Sequence, residues 1–214
     1  MKKLNIENPF FEFMGKLGDM MLLNVLFLIC CIPLFTIAAS YTAMYAVLLE
    51  QREKKEIFII RSFFHHFRTN LRQKIKVGVL FLVTGGVLVF DILFLGNAGG
   101  KGGWAIISIF IGSFILIWLM ITSYVFILMA TEKLSIKELL QNSFYLAIRN
   151  LPRTVCMIIL NCIPIFCIIF GSYFVGVITP IYLIIGFSFS AYINLAFCIN
   201  PIKQLEKIEY LYRS

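Results

Sequence analysis

Five stretches of this chain, Met20 to Leu49, Val77 to Gly96, Trp104 to Ala130, Val155 to Phe174 and Thr179 to Ile199, carry Asp91 as their only charged side chain. A bilayer core about 30 Å thick takes roughly 20 helical residues to cross, and a helix satisfies its backbone hydrogen bonds without water. Runs this long and this uniformly apolar read as membrane helices. The expected fold is therefore all-α: a polytopic helical membrane protein of about five transmembrane helices, forming a single integral membrane domain over residues 1–214. Composition agrees: 14% of residues are charged and mean hydropathy is +0.91, whereas soluble domains carry about 25% charge.

Polar segments separate the runs. Residues 1–19 are amphipathic, with Phe10, Phe11, Phe13, Met14 and Leu17 set among Glu12, Lys16 and Asp19; they read as an interfacial helix starting at Asn8-Pro9. Segments 50–76 and 131–154 read as cytoplasmic amphipathic helices, the second opened by a Ser135/Glu138 capping box and stopped before Pro152. Residues 200–214 form a cytoplasmic tail with Leu205, Ile208 and Leu211 at helical spacing. The net charge of +8 is confined to these segments, where topology and anionic lipid headgroups account for it, so nucleic acid is not an expected partner.

Eight of the nineteen Lys and Arg residues, Arg52, Lys54, Lys55, Arg61, Arg68, Arg72, Lys74 and Lys76, lie in the first long loop, and Lys101 stands alone in the turn Gly96 to Gly103. That asymmetry puts both long loops and the tail inside the cell. The turn resembles a phosphate loop only superficially. Leu95 occupies its first glycine position and Gly102 its Ser/Thr position.

The first run is too long for one straight span, being roughly 45 Å as a single helix. Pro33 either kinks it, giving five simple spans and an outside amino terminus, or bends it into a re-entrant hairpin with the terminus inside. SYTAMYAVLLE leading into RSFFHHFRTNLR is echoed by SYVFILMATE leading into QNSFYLAIRNLPR. A parallel repeat of this kind makes the first and third spans codirectional and favours five simple spans. CIPLF at Cys31 also recurs as CIPIF at Cys162, so Pro33 and Pro164 are candidate helix kinks.

In the basic stretch Ile60, Phe64, Phe67, Leu71 and Ile75 mark one helical face, and Arg61, His65, Arg68 and Arg72 follow it one residue later. This surface, echoed by Arg149, suits anionic headgroups or a partner protein. His65 and His66 diverge by roughly 100° on a helix, and neither a metal site nor a nucleophile-base pair is apparent. No cofactor or enzymatic chemistry is expected. Asp91 is a candidate intramembrane polar group, or a structural acid near the interface. Asn24, Asn161 and Asn194 read as interhelical hydrogen-bond partners. The six cysteines lie inside apolar runs and read as packing residues.

GDMMLLNVLFLICCIPLFTIAASYTAMYAVLL from Gly18, SFFHHFRTNLRQ from Ser62 and NSFYLAIRNLP from Asn142 resemble the YesL-like family of bacterial membrane proteins, whose function is unknown. Members are often encoded near carbohydrate ABC uptake systems. The resemblance implies a multi-pass protein of the bacterial plasma membrane with an accessory or regulatory role in sugar import, acting on transporter subunits or as a homo-oligomer. The alternative is a small transporter or channel built on the proline-broken helices and Asp91.

Overall fold

The structure, a computed structural model, describes residues 9–53, 57–97, 104–131, 134–170, 176 and 179–213. Residues 1–8 of the expected interfacial helix, most of the Gly96 to Gly103 turn and the junction of the last two spans lie outside them. Every regular element among the described residues is helical: α1 (Pro9–Cys31), α2 (Ile37–Arg52), α3 (Ile59–Arg68), α4 (Leu71–Asn97), α5 (Trp104–Thr131), α6 (Ile136–Arg149), α7 (Leu151–Phe170) and α8 (Phe187–Arg213). A 3-10 turn, Leu34–Thr36, precedes α2, and a π-helical turn, Tyr182–Gly186, leads into α8. Four described helical segments, Met14–Cys31, Leu71–Phe94, Ile107–Thr131 and Thr179–Ile202, are long and apolar enough to cross a bilayer, and α6 with α7, bent by 107°, make a fifth if the two count as one span.

The first apolar run is not one kinked helix. Proline lacks an N–H and disfavours helix in the residue before it, and α1 ends at Cys31, two residues before the extended Pro33 (φ −76°, ψ 115°). Thr36 Oγ1, with one proton to donate, lies 2.6 Å from both the Cys30 and the Pro33 carbonyl oxygens, and the Thr36 amide also donates to Pro33 O at 2.9 Å, so the turn is held where the helix breaks. The chain then reverses. Phe27 meets Tyr41 edge-on at 4.7 Å between centroids, and Gln51 Nε2 donates to Asp19 Oδ2 at 3.3 Å, so α1 and α2 form an antiparallel hairpin. Of the two readings of this run, the hairpin bent at Pro33 is the one the helices follow, and residues 9–19 of the expected interfacial segment are the start of α1.

Both ends of that hairpin are tied to the first two turns of α4. At its tip, a Cβ on Gly78 would stand 2.8 Å from Ala38 Cβ; at its base, Glu50 pairs with His66, whose carbonyl accepts from Lys74. The hairpin therefore runs across α4. Its tip stays about 28 Å of helix short of Asn97.

A helix buried on every side needs small residues for close approach. α2 supplies Ala38, Ala39, Ser40, Thr42, Ala43 and Ala46, and everything from Ala38 to Leu48 except Tyr41 is buried. Around it pack Leu23 and Phe27 of α1, Phe63 of α3, Phe81 of α4, Tyr124 and Leu128 of α5, and Leu195 and Cys198 of α8. The outer faces of α1, α4, α5, α7 and α8 present Val25, Val83, Phe90, Phe110, Ile159 and Phe189 to the surroundings, as a lipid-facing belt does.

The apolar stripe from Ile60 to Ile75 does not lie on one helix. α3 stops at Arg68, and Asn70 takes a left-handed φ of 53° before α4 begins. Its carbonyl accepts from the Gln73 and Lys74 amides. Asn150 does the same for Thr154 between α6 and α7, where the chain turns through 107°. The internal repeat thus appears at the level of elements, α2-α3-α4 answering α5-α6-α7. The buried faces of the two short helices match Ile59 with Leu139 and Phe63 with Ser143, one residue away from the frame suggested by the Ser-Phe pairs.

Candidate functional site

The α2-α3 reversal sets Glu50 against the inner side of α3. Ser62 Oγ donates to Glu50 Oε2, and His66 Nε2 lies 2.8 Å from Glu50 Oε1. A carboxylate only accepts, so His66 carries its proton on Nε2. The arrangement is no catalytic triad, because the serine donates to the carboxylate and not to an imidazole that could take its proton. It fixes α3 and leaves the rest of the His66 ring on a cavity of about 310 Å³.

Five helices build that cavity, Leu139 of α6 included. Thr42 and Ala46 of α2, His65 and His66 of α3, Thr69 and Asn70 of the break, Gln73 and Lys74 of α4, and Met129 and Thr131 of α5 line it. Lys74 is 5% exposed, and its Nζ donates to His66 O at 2.5 Å. Gln73 Nε2 closes one wall by donating to Leu134 O at 2.6 Å. Two open grooves flank the cavity. One is lined by Arg72, Gln73, Lys76 and Leu134, the other by Arg61, Phe64, His65, Arg68 and Thr69. The cavity and both grooves contain five Lys or Arg side chains and two imidazoles, and no carboxylate among the described lining residues.

Most of the expected surface residues fall here. Arg61, Phe64, His65 and Arg68 are exposed on α3, and Arg72 on α4. Phe67 does not join them; it stacks on buried Phe63 at 6.2 Å and faces the core. Arg149 closes α6, with its Nη1 3.0 Å from Tyr145 Oη and its guanidinium over that ring. The two imidazoles stand edge to face at 5.4 Å, and no group of three potential metal ligands occurs among the described residues.

The intramembrane candidates lie elsewhere. Asp91 is half-buried on α4, about 26 Å of helix beyond Lys74. Asn24 is fully buried and spans the π-helical turn: Nδ2 donates to Leu183 O at 2.7 Å, and Oδ1 accepts from Ser188 N at 3.1 Å. Asn194 Nδ2 donates to Asn161 Oδ1 at 2.8 Å, joining α8 to α7 beside Pro164 in a space of about 20 Å³. Pro33 is a hairpin turn and α7 continues through Pro164.

Sequence reading missed Glu50, Ser62, Asn70, Gln73, Thr42 and above all Lys74. A signal existed for the lysine. Lys74 shares a helical face with Val77, Gly78 and Phe81, all buried, while Arg72 and Lys76 point away. The fold and this site define a helical membrane protein with a cavity walled in part by buried Lys74 and flanked by two basic grooves. Residues 20–92 match the family described as "Protein of unknown function, DUF624". That match takes in the hairpin from Met20 onward, α3 and most of α4, and hence most of the cavity wall. No curated protein and no solved structure matches the chain.

Proposed function

We propose that the chain is a non-enzymatic accessory protein of the YesL-like kind, seated in the bacterial plasma membrane and docking through its cytoplasmic face on subunits of a carbohydrate ABC uptake system. The observation that carries this reading is the outer face of α3. Ile59 and Phe63 already bury the inner face, yet Phe58 is 83% exposed and Ile60 52% exposed beside Arg61, Phe64 and Arg68. Aromatic and arginine side chains left over from packing are the residues that anchor protein interfaces, with anionic headgroups as neighbours.

In this reading α4, α5, α7 and α8 cross the bilayer, and the hairpin of α1 with α2 enters it from the cytoplasmic side and returns. Lys2, Lys3 and Lys16 then join the other cytoplasmic cations, leaving only Lys101 outside. Replacing Arg61, Arg68 and Arg72 together with Glu is expected to abolish co-purification of the transporter subunits from native membranes, while Asp91→Asn leaves it intact. Co-purification unaffected by the triple change contradicts the docking. For the transporter or channel alternative, the space beside Pro164 among the described residues is about 20 Å³, room for about one water.

A further inference from the structure

A buried ammonium group is costly unless its charge and its three donors are met. Lys74 is 95% buried, and the structure gives it one acceptor, the His66 carbonyl. That carbonyl belongs to the last turn of α3, whose dipole supplies roughly half an elementary negative charge. No carboxylate among the described residues pairs with Lys74, and Glu50 is engaged by His66 and Ser62. The cation faces a cavity of about 310 Å³, near the lower end of small-molecule sites. Asn70, exposed at the break before α4, adds a side-chain amide to the cavity wall. The flanking grooves add Arg61, Arg68, Arg72 and Lys76 without any described acid.

We propose that this cavity binds a phosphate group, with Lys74 as the buried counter-charge, His65 and Asn70 as further donors, and the outer arginines as the electrostatic approach. Phosphate fits better than a carboxylate. It presents acceptor oxygens in several directions at once, matching donors that converge from α3, the break and α4. The phosphate has two sources, a soluble phosphorylated metabolite or a lipid headgroup at the same depth. Nothing here depends on the docking of α3, and the test uses no partner.

The test is thermal unfolding of the purified full chain in an uncharged detergent, followed by tryptophan fluorescence. Inorganic phosphate and glycerol phosphate are titrated against sodium chloride at matched ionic strength, and phosphatidic acid is titrated in mixed micelles against phosphatidylcholine. A saturable rise in Tm with phosphate but not chloride is expected, because a ligand that binds only the folded state stabilises it. Lys74→Gln is expected to raise the half-saturating concentration about tenfold or more, as loss of a charge-assisted bond does, whereas Arg149→Gln, outside the cavity, leaves it unchanged. His65→Ala alters an exposed side chain and serves where Lys74→Gln does not fold. Stabilisation by the soluble ions identifies a metabolite phosphate, and stabilisation by phosphatidic acid alone identifies a headgroup. No response to any phosphate, a response equalled by chloride, or one unchanged in both cavity variants overturns the proposal.

Discussion

Asn24 does the work of two interhelical bonds at once. A π-helical turn leaves backbone groups out of the usual i to i−4 register, and this asparagine takes a carbonyl on one side of the turn and an amide on the other. Gly186 belongs to the same device, for any Cβ there would meet the Tyr182 ring at 2.5 Å. The sequence marked Asn24 as a polar partner inside a span but not what it partners, since no residue pattern announces a π-helical turn. Replacing Asn24 with Leu is expected to lower stability by about 1–3 kcal/mol, the lost bonds adding to backbone groups left unmet. Asn161→Leu, which removes a single side-chain pair, should cost less. Thermal unfolding in detergent checks both, and equal losses would contradict the bridging role.

Between residue and fold stand the short helices and the breaks that end them. The capping box at Ser135 and Glu138 was readable and is formed, with Ser135 N donating to the glutamate at 2.9 Å. The break at Asn70 was not readable, because Leu71 and Ile75 happen to continue the spacing of Ile60 and Phe64 and periodicity alone cannot see a left-handed residue. Asparagine tolerates that conformation better than most residues, and glycine better still. Asn70→Gly should therefore leave stability nearly unchanged, whereas Asn70→Val should lose roughly 1–2 kcal/mol. Comparing the unfolding midpoints of the two variants tests the break; the opposite order would mean that α3 and α4 form one helix. The same break brings Lys74 back under His66, so the part of the site hardest to read is the part that depends on it.

For the molecule as a whole, the helical class and the later spans were legible because apolar length is a local property. The direction of the first helix was not. The repeat argued for codirectional first and third spans, and its elements do correspond, but it begins at α2 and leaves α1 out. It constrained α2, never the helix that precedes the turn at Pro33. The hairpin buries α2, ties Glu50 to His66 and supplies the cavity with Thr42 and Ala46, so both the fold and the site depend on it. The side of the amino terminus tests it most directly. In a variant stripped of its native cysteines, a cysteine placed at Lys3 is exposed to a membrane-impermeant thiol reagent in intact cells. The hairpin predicts protection until the cells are permeabilised; labelling in intact cells would put the terminus outside and contradict it.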